Sequence, residues 1–437
     1  MKRFIRIVAF LAVFVLLFST VNYYMARSVD HYSANALGGF YKQPRGSLDA
    51  VYIGSSNVLA FWNQMIAWEQ YGVTVYPYSC VSQQLTAAEY AIKDIRKTHP
   101  DVAFVININT IGLKTNTPSL HRLFDNMPFS INKVQAIEAM SEMYGLTDEQ
   151  KKELYFPILR YHSRWEKMTG EDFVADQYMG AFDHPSYWEK TLDMTKLYTW
   201  TDGVLEPPAH VRDSLKSLLD YCDREKLKVI FVTVPRKEVT DEECQMINYA
   251  NNLIREHGYT TVVLTKKVDE LQLDLQQDFY NRTHTNAHGA AKFTNYVAQV
   301  LVKELGLENK RGNPDYQNWD DAYTAYKKIS SRYLLDFELT NAKRDNTLLS
   351  PANLSAVVAD DRAAISFDAV KGATGYAVYK REGEKGLWAK IGETSTLQFF
   401  DKNYDAKTSC DYAVVPFYQQ NGATVYGNYQ YNGITIS

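Results

Sequence analysis

Val51-Tyr52-Ile53-Gly54-Ser55-Ser56-Asn57 joins a short apolar run to Gly-Ser-Ser and then to a helix-like segment. Such a run reads as a buried strand, and its end sets a hydroxyl at the carboxyl edge of a sheet, where open α/β sheets collect ligands. Ser56 is therefore the candidate nucleophile. Outward from it the pattern alternates: Ala50 to Ile53 as strand, Val58 to Tyr71 as helix, Val73 to Tyr78 as strand, Leu85 to Thr98 as helix, and Val102 to Ile108 as a strand buried on both faces. After a gap it resumes with a helix at Ala209 to Lys226 and a strand at Val229 to Val234. A helix at Thr240 to His257, a strand at Thr261 to Leu264 and an amphipathic helix from about Ala291 to Leu305 follow. This rhythm predicts an α/β domain over 28–305, a flavodoxin-like parallel sheet with helices on both faces.

The gap, about 113–206, is rich in aromatic and charged residues and reads as a mostly helical insertion that shapes a substrate cleft. Residues 306–346 read as a polar connector with a helical patch from Asp320 to Leu335. Beyond Ser350-Pro351 the elements become short and strand-like: Ala363 to Phe367, Gly375 to Arg381, Leu387 to Ile391 and Tyr412 to Phe417. That spacing predicts an all-β sandwich over 347–437.

A chain of 437 residues exceeds one ordinary core, in keeping with two domains. A net charge of -4 supplies no basic field for nucleic acid. The 32 tyrosines suit a surface facing sugar or protein, and half-exposed tyrosine in β structure accounts for the same number. At the N-terminus, Met1-Lys2-Arg3-Phe4-Ile5-Arg6 precedes an apolar run from Ile7 to Phe18 that extends through Val21. Positive charge before such a run is the pattern of an export signal, which places the remainder outside the cytoplasm. Tyr24-Met25-Ala26 is a poor cleavage site, so residues 1–27 read as a retained single-pass anchor, with a cleaved, secreted form as the alternative. Cys80, Cys222, Cys244 and Cys410 contain no Cys-x-x-Cys pair and read as free buried thiols.

A serine hydroxyl is a weak nucleophile until a base takes its proton. Asn281-x-x-His284, just ahead of the last helix of the sheet domain, can supply one. Gly54-Ser55-Ser56 paired with His284-x-Asn286-x-x-Gly289-Ala290 resembles the SGNH (GDSL-like) hydrolases over roughly Ala50 to Leu305. Within them it is most similar to the membrane-anchored, extracytoplasmic branch related to D-alanine transfer and alginate acetylation proteins. By position the resemblance implies Ser56 as nucleophile and His284 as general base. The family's terminal motif is Asp-x-x-His, and this chain has Asn281 in place of that Asp. Three readings stand: Asn281 orients the imidazole as a weaker partner, Asp278 does so after a loop shift, or the site has decayed.

For the oxyanion hole the resemblance points to the Ser56 N–H, to Cys80 or Ser82 where the family has Gly, and to an Asn after the third strand. Asn107 and Asn109 alternate onto one face, and Asn109 lies nearer the carboxyl edge. In Arg160-Tyr161-His162-Ser163-Arg164-Trp165, the residues His162, Arg164 and Trp165 are candidates to hold an anionic or sugar substrate. A helix pinned by its aromatic residues explains the same segment. His284 and His288 are four apart, but no Glu lies between them and no third ligand is evident, so no metal and no cofactor are expected. Pro351-x-Asn353-Leu354, Ala364-Ile365-Ser366-Phe367-Asp368, Gly375-Tyr376-Ala377-Val378-Tyr379 and Tyr412-x-Val414 resemble a fibronectin type III domain, which implies a spacer or docking module, with envelope proteins as partners.

The expected activity is that of an extracytoplasmic serine esterase or O-acyltransferase. Its substrate would be an acyl ester of a surface polysaccharide or glycan, and its partners would include the membrane but no nucleic acid. The alternative is a non-catalytic glycan-binding or envelope-assembly protein that kept the hydrolase fold.

Overall fold

The computed structural model describes residues 2–27, 30–112, 117–174, 176–182, 200–236, 239–275, 278–340, 342–345, 347–359, 361–382, 388–430 and 433–436. Parts of the expected insertion (113–116 and 183–199), and the expected strand start at Leu387, lie outside the described residues. The chain divides into two compact units, the first ending at Tyr323 and the second running from Thr324. The division falls inside a long helix, so the expected connector 306–346 is shared between the units.

In the first unit, α1 (Lys2–Arg27) and α2 (His31–Phe40) precede β1 (Ala50–Gly54). Then come α3 (Ser56–Phe61), α4 (Gln64–Tyr71), β2 (Val75–Ser79), α5 (Ala88–Ile95) and β3 (Ala103–Asn107). The described part of the insertion is helical: α6 (Thr117–Phe124), α7 (Ile131–Tyr144), α8 (Asp148–Tyr155), α9 (Pro157–Tyr161) and the 3-10 turns His162–Lys167 and Gly170–Phe173. The remainder is α10 (Ala209–Glu225), β4 (Val229–Thr233), α11 (Asp241–Glu256), β5 (Thr260–Val263), α12 (Ala287–Leu305) and the start of α13 (Gln317–Thr340).

The five strands form one parallel sheet in the order β2-β1-β3-β4-β5. This is a doubly wound order, whose direction of winding reverses at β1, and ligands collect at the carboxyl edge of such a reversal. Every residue of β1 through β4 is buried, as strands covered on both faces require. Ala50, Tyr52, Ala103, Val105, Ile230 and Val232 share one face with Phe61, Trp62, Phe293, Val297 and Leu301 of the covering helices. Val51, Ile53, Phe104 and Ile106 point the other way and are equally buried.

Where one helix was expected from Val58 to Tyr71, there are two. Asn63 interrupts it, because its side-chain oxygen accepts from Met65 N and Ile66 N and caps α4, while its own N–H donates to Thr294 Oγ1 at 2.9 Å. Similarly, α12 starts at Ala287, four residues ahead of the expected Ala291, because Asn286 caps it by accepting from Gly289 N.

In the second unit, β6 (Lys343–Arg344), β7 (Ser355–Ala359), β8 (Arg362–Ser366), β9 (Gly375–Glu382), β10 (Ala389–Thr394), β11 (Gln398–Asp401), β12 (Cys410–Gln420), β13 (Ala423–Tyr426) and β14 (Ile434–Ile436) build two sheets. One has the order β10-β9-β12-β13-β6 with β14 on β12, and the other the order β11-β8-β7. Apart from the parallel β13–β6 pair, every pairing is antiparallel. Ile365, Phe367, Tyr376, Val378, Tyr412 and Val414 make its core. Four expected strand regions correspond to β8, β9, β10 and β12. β6, β7, β11, β13 and β14 have no counterpart among the expected strands; β7, for one, lacks clean alternation because Val357 and Val358 are both exposed.

Candidate functional site

From Ala50 to Met65 every residue is buried except Ser56. The backbone conformation at Ser55 (φ -91°, ψ -164°) ends β1 and caps α3, its hydroxyl accepting from Asn57 N at 3.3 Å. This turns Ser56 outward as the first residue of α3. Gly54 allows the turn to sit close, since a Cβ there would lie 2.6 Å from Val58 Cγ2 and 2.7 Å from Asn107 Cβ.

The second element is the loop before α12. Phe279 and Thr285 pair across it as an antiparallel bridge, and Tyr280 N donates to His284 O at 3.2 Å. Two contacts dock the loop and α12 onto the end of α3: Thr285 Oγ1 donates to Ala60 O at 2.6 Å and Thr294 Oγ1 to Phe61 O at 3.2 Å. Gly289 is held against Asp278 O, only 2.3 Å from where a Cβ would stand. The His-x-Asn-x-x-Gly pattern is thus an imidazole, a helix cap and a close approach, in that order.

The outcome is that His284 Nε2 lies 2.8 Å from Ser56 Oγ, across 228 residues of sequence. On the other side of the ring, Nδ1 lies 3.0 Å from Asn281 Oδ1. That oxygen also accepts from Thr283 N at 2.9 Å and His284 N at 3.0 Å, so two backbone donors fix which end of the amide faces the ring. A carbonyl oxygen only accepts, so Nδ1 carries the proton and Nε2 is left to accept from the Ser56 hydroxyl. Thr283 Oγ1, 3.0 Å from Nδ1, adds a second oxygen on that side. The Tyr280 ring stacks on the imidazole, centroids 5.7 Å apart at 13°, and burial pushes its phenol up to about 12.

The structure therefore brings Ser56, His284 and Asn281 together. Asp278 is committed elsewhere: its buried carboxylate accepts from Lys292 Nζ at 2.8 Å and from Asp274 N at 2.7 Å. The reading in which Asp278 orients the ring after a loop shift is not the arrangement found, because Lys292 and the Asp274 backbone already hold that carboxylate.

Of the expected oxyanion donors, the Cys80 N–H donates to Gln83 Oε1 at 3.1 Å, and Ser82 sits in the left-handed region at φ 60° with its carbonyl accepting from Gln84 Nε2. The Asn109 amide bridges to the end of β4, donating to Val234 O at 3.0 Å and accepting from Val234 N at 2.7 Å. A residue passed over in the sequence is Gln83, on the loop after β2, whose side-chain amide nitrogen is buried without a hydrogen-bond partner.

His162, Arg164 and Trp165 lie in the 3-10 turn that packs along α1 and α9. His162 Nδ1 donates to Leu159 O at 3.0 Å, and Trp165 is 64% exposed. His288 is exposed. Among the described residues, one group has metal-ligand spacing: Asp220, Asp223 and His257, with ligand atoms within 4.8 Å of one another. There His257 Nδ1 already lies 2.7 Å from Asp223 Oδ2, as in a surface ion pair.

No protein-family model matches this chain, and no curated protein matches it. Among solved structures, a Fn3-like protein from Clostridium thermocellum is similar at 22% identity over 19% of this chain and 88% of its own, with a TM-score of 0.16. A structure of titin kinase and its flanking domains is similar at 17% identity and a TM-score of 0.16, over 20% of this chain and 16% of its own length. Likenesses of this size carry no argument about either unit.

Proposed function

We propose that this chain is a serine esterase or O-acyltransferase of the SGNH type, held at the membrane by α1, with its other domains outside the cytoplasm. Its substrates are acyl esters of a surface polysaccharide or glycan, and its second unit is a fibronectin type III-like spacer or docking module. The observation that carries the reading is the 2.8 Å approach of His284 Nε2 to the half-buried Ser56 hydroxyl just past the carboxyl end of β1, with Asn281 Oδ1 accepting from the ring's other nitrogen.

In the proposed reaction Ser56 Oγ attacks the acyl carbonyl carbon as its proton passes to His284 Nε2. The oxyanion faces the Ser56 N–H at the start of α3. Collapse breaks the ester bond, the leaving oxygen takes the proton from His284, and the acyl group stays on Ser56. Water or a sugar hydroxyl then attacks the acyl-enzyme, again through His284.

The test is fluorophosphonate labelling of the full-length protein, with turnover of a small acetyl ester. Labelling at Ser56, lost in Ser56→Ala and strongly slowed in His284→Ala, is expected. Neither labelling nor turnover in the native chain sinks the reading. The uncharged partner of the imidazole favours a second one, a glycan-binding or envelope-assembly protein with a silent site. Full biological function in a Ser56→Ala strain would select it.

A further inference from the structure

Only the outer part of α1 touches the folded protein. Its residues from Lys2 to Leu17 are exposed, whereas cover begins at Phe18 and continues from Asn22 to the buried Ala26. The cover is α9 and the neighbouring 3-10 turns: Phe156 meets Phe18 with ring centroids 6.4 Å apart, Phe173 meets Tyr24 at 5.0 Å, and Ile158 N donates to Asn22 Oδ1 at 2.8 Å. Asn22, the one amide in the apolar helix, also donates to Phe18 O, so it carries no unmet polar group into an apolar layer.

Yet this cover turns apolar side chains outward. Phe156, Leu159, Trp165 and Phe173 are 45, 52, 64 and 57% exposed, within 18 residues of chain beside one helix. Between them Arg160, His162, Glu166 and Lys167 are exposed as well, so the surface is amphipathic, the mixed character of an element that lies in a membrane interface.

Length decides what covers them. A hydrocarbon core about 30 Å thick takes about 20 residues at about 1.5 Å each. Counted from the residue after Arg6, that span ends at Ala26; counted from Phe4, with the basic side chains reaching back to the interface, it ends at Tyr23. Either way the span includes Phe18 and Asn22, so the elements packed on those residues enter the membrane with it. From Phe18 to Tyr23 is about 8 Å along the helix, the usual depth of an interfacial element.

We infer that residues 156–173 form an amphipathic collar that embeds in the interface of the outer leaflet of the bilayer around α1. The inference rests on the reading of α1 as a retained anchor and goes beyond it. Trp165 and Tyr24 provide the amphipathic rings favoured at such depths, and Lys167 an exposed cation for the headgroups. The start of α2 lies at the carboxyl edge of the sheet, where Val81 N, just past β2, donates to Ser33 Oγ at 2.9 Å. A seated collar thus holds the edge bearing Ser56 toward the membrane surface.

Four variants of the full-length protein, each with one added cysteine, V13C, L159C, W165C and K303C, test this after labelling with an environment-sensitive fluorophore in phosphatidylcholine–phosphatidylglycerol vesicles. The four native thiols are buried, and Lys303 is exposed on α12 near the amino end of β4. Lipids carrying a quencher near the carbonyl level are expected to quench positions 159 and 165 about threefold more than position 303, and aqueous iodide to show the reverse order. Position 13 should respond to a quencher deep in the chains. A buried response at 13 with iodide-accessible labels at 159 and 165 overturns the collar and leaves the anchor standing. No lipid response at 13 overturns the anchor and the collar with it. Labels at 159 and 165 shielded from both quenchers mean that protein covers the patch, which also overturns the collar.

Discussion

Replacing Asn281 by Asp puts a full charge where the structure has an amide oxygen, 3.0 Å from His284 Nδ1. The donors that converge on this oxygen, Thr283 N, Thr283 Oγ1, His284 N and Nδ1–H, suit a carboxylate equally well, so the loop should keep its form. What changes is the stabilisation of the imidazolium formed while His284 holds the Ser56 proton. With the charge about 4 Å from the ring centre, Coulomb attraction is about 1 kcal/mol in water and about 4 kcal/mol at an effective dielectric of 20. His284 and Asn281 are half-buried, between those limits, so about 2 kcal/mol is expected, or about 30-fold in rate.

The assay is acetyl-ester turnover and fluorophosphonate labelling as a function of pH. Asn281→Asp should raise both rates and move the acid limb to higher pH, because the new charge favours the protonated ring. Asn281→Ala should lower both by up to about 10³, since Thr283 Oγ1 alone is then left beside Nδ1 to select the tautomer. A fall in rate for Asn281→Asp similar to that for Asn281→Ala would refute the reasoning, because it would mean that Asn281 does not govern the ring.

Other outcomes follow from packing and burial. Gly54→Ala forces a methyl within 2.6 to 2.7 Å of Val58 and Asn107, so thermal melts should show a loss of about 1 to 3 kcal/mol; an unchanged midpoint refutes the close approach. Burial lowers the Lys133 ammonium to about 8, against 10.5 in the unfolded chain, with Asp125 and Asp94 opposing the shift. Between those values the unfolded state holds more protons, so this group's penalty is full below pH 8 and is relieved as pH rises toward 10.5. Lys133→Met should therefore add about 2 kcal/mol at pH 7, less the Met127 carbonyl it leaves unpaired, and the gain should shrink by pH 10; an equal gain at both pH values contradicts this. All four cysteines are free and buried, and burial pushes the Cys222 thiol up to about 12, so a disulfide-exchange reagent should titrate none in the native protein and four in denaturant.

How far the sequence led can be seen in its two halves of the site. Gly54-Ser55-Ser56 ends an apolar run, and Asn281-x-x-His284 opens a helix, so both were legible as local patterns. The alternation of strand and helix likewise determined a parallel sheet, because strands buried on both faces must read as continuous apolar runs. The break at Asn63 was only half legible: its side-chain cap on Met65 N and Ile66 N is local, but the Thr294 hydroxyl that takes its N–H lies 231 residues away in the chain.

Local sequence also determined that a charged N-terminus precedes a long apolar helix, a matter of composition and length alone. Tertiary structure decided the rest. Which partner meets the imidazole is one such case: Asn281 and Asp278 are both within reach in sequence, and only the folded loop shows Lys292 and Asp274 holding the second. The place of the Phe156 to Phe173 segment is another, because its periodicity suits a pinned helix or a substrate cleft equally well. Its contacts with Phe18 and Asn22 put it beside α1 instead. Hydrogen bonds and ring contacts of this kind act over a few ångströms in space, and one-dimensional spacing carries no record of them.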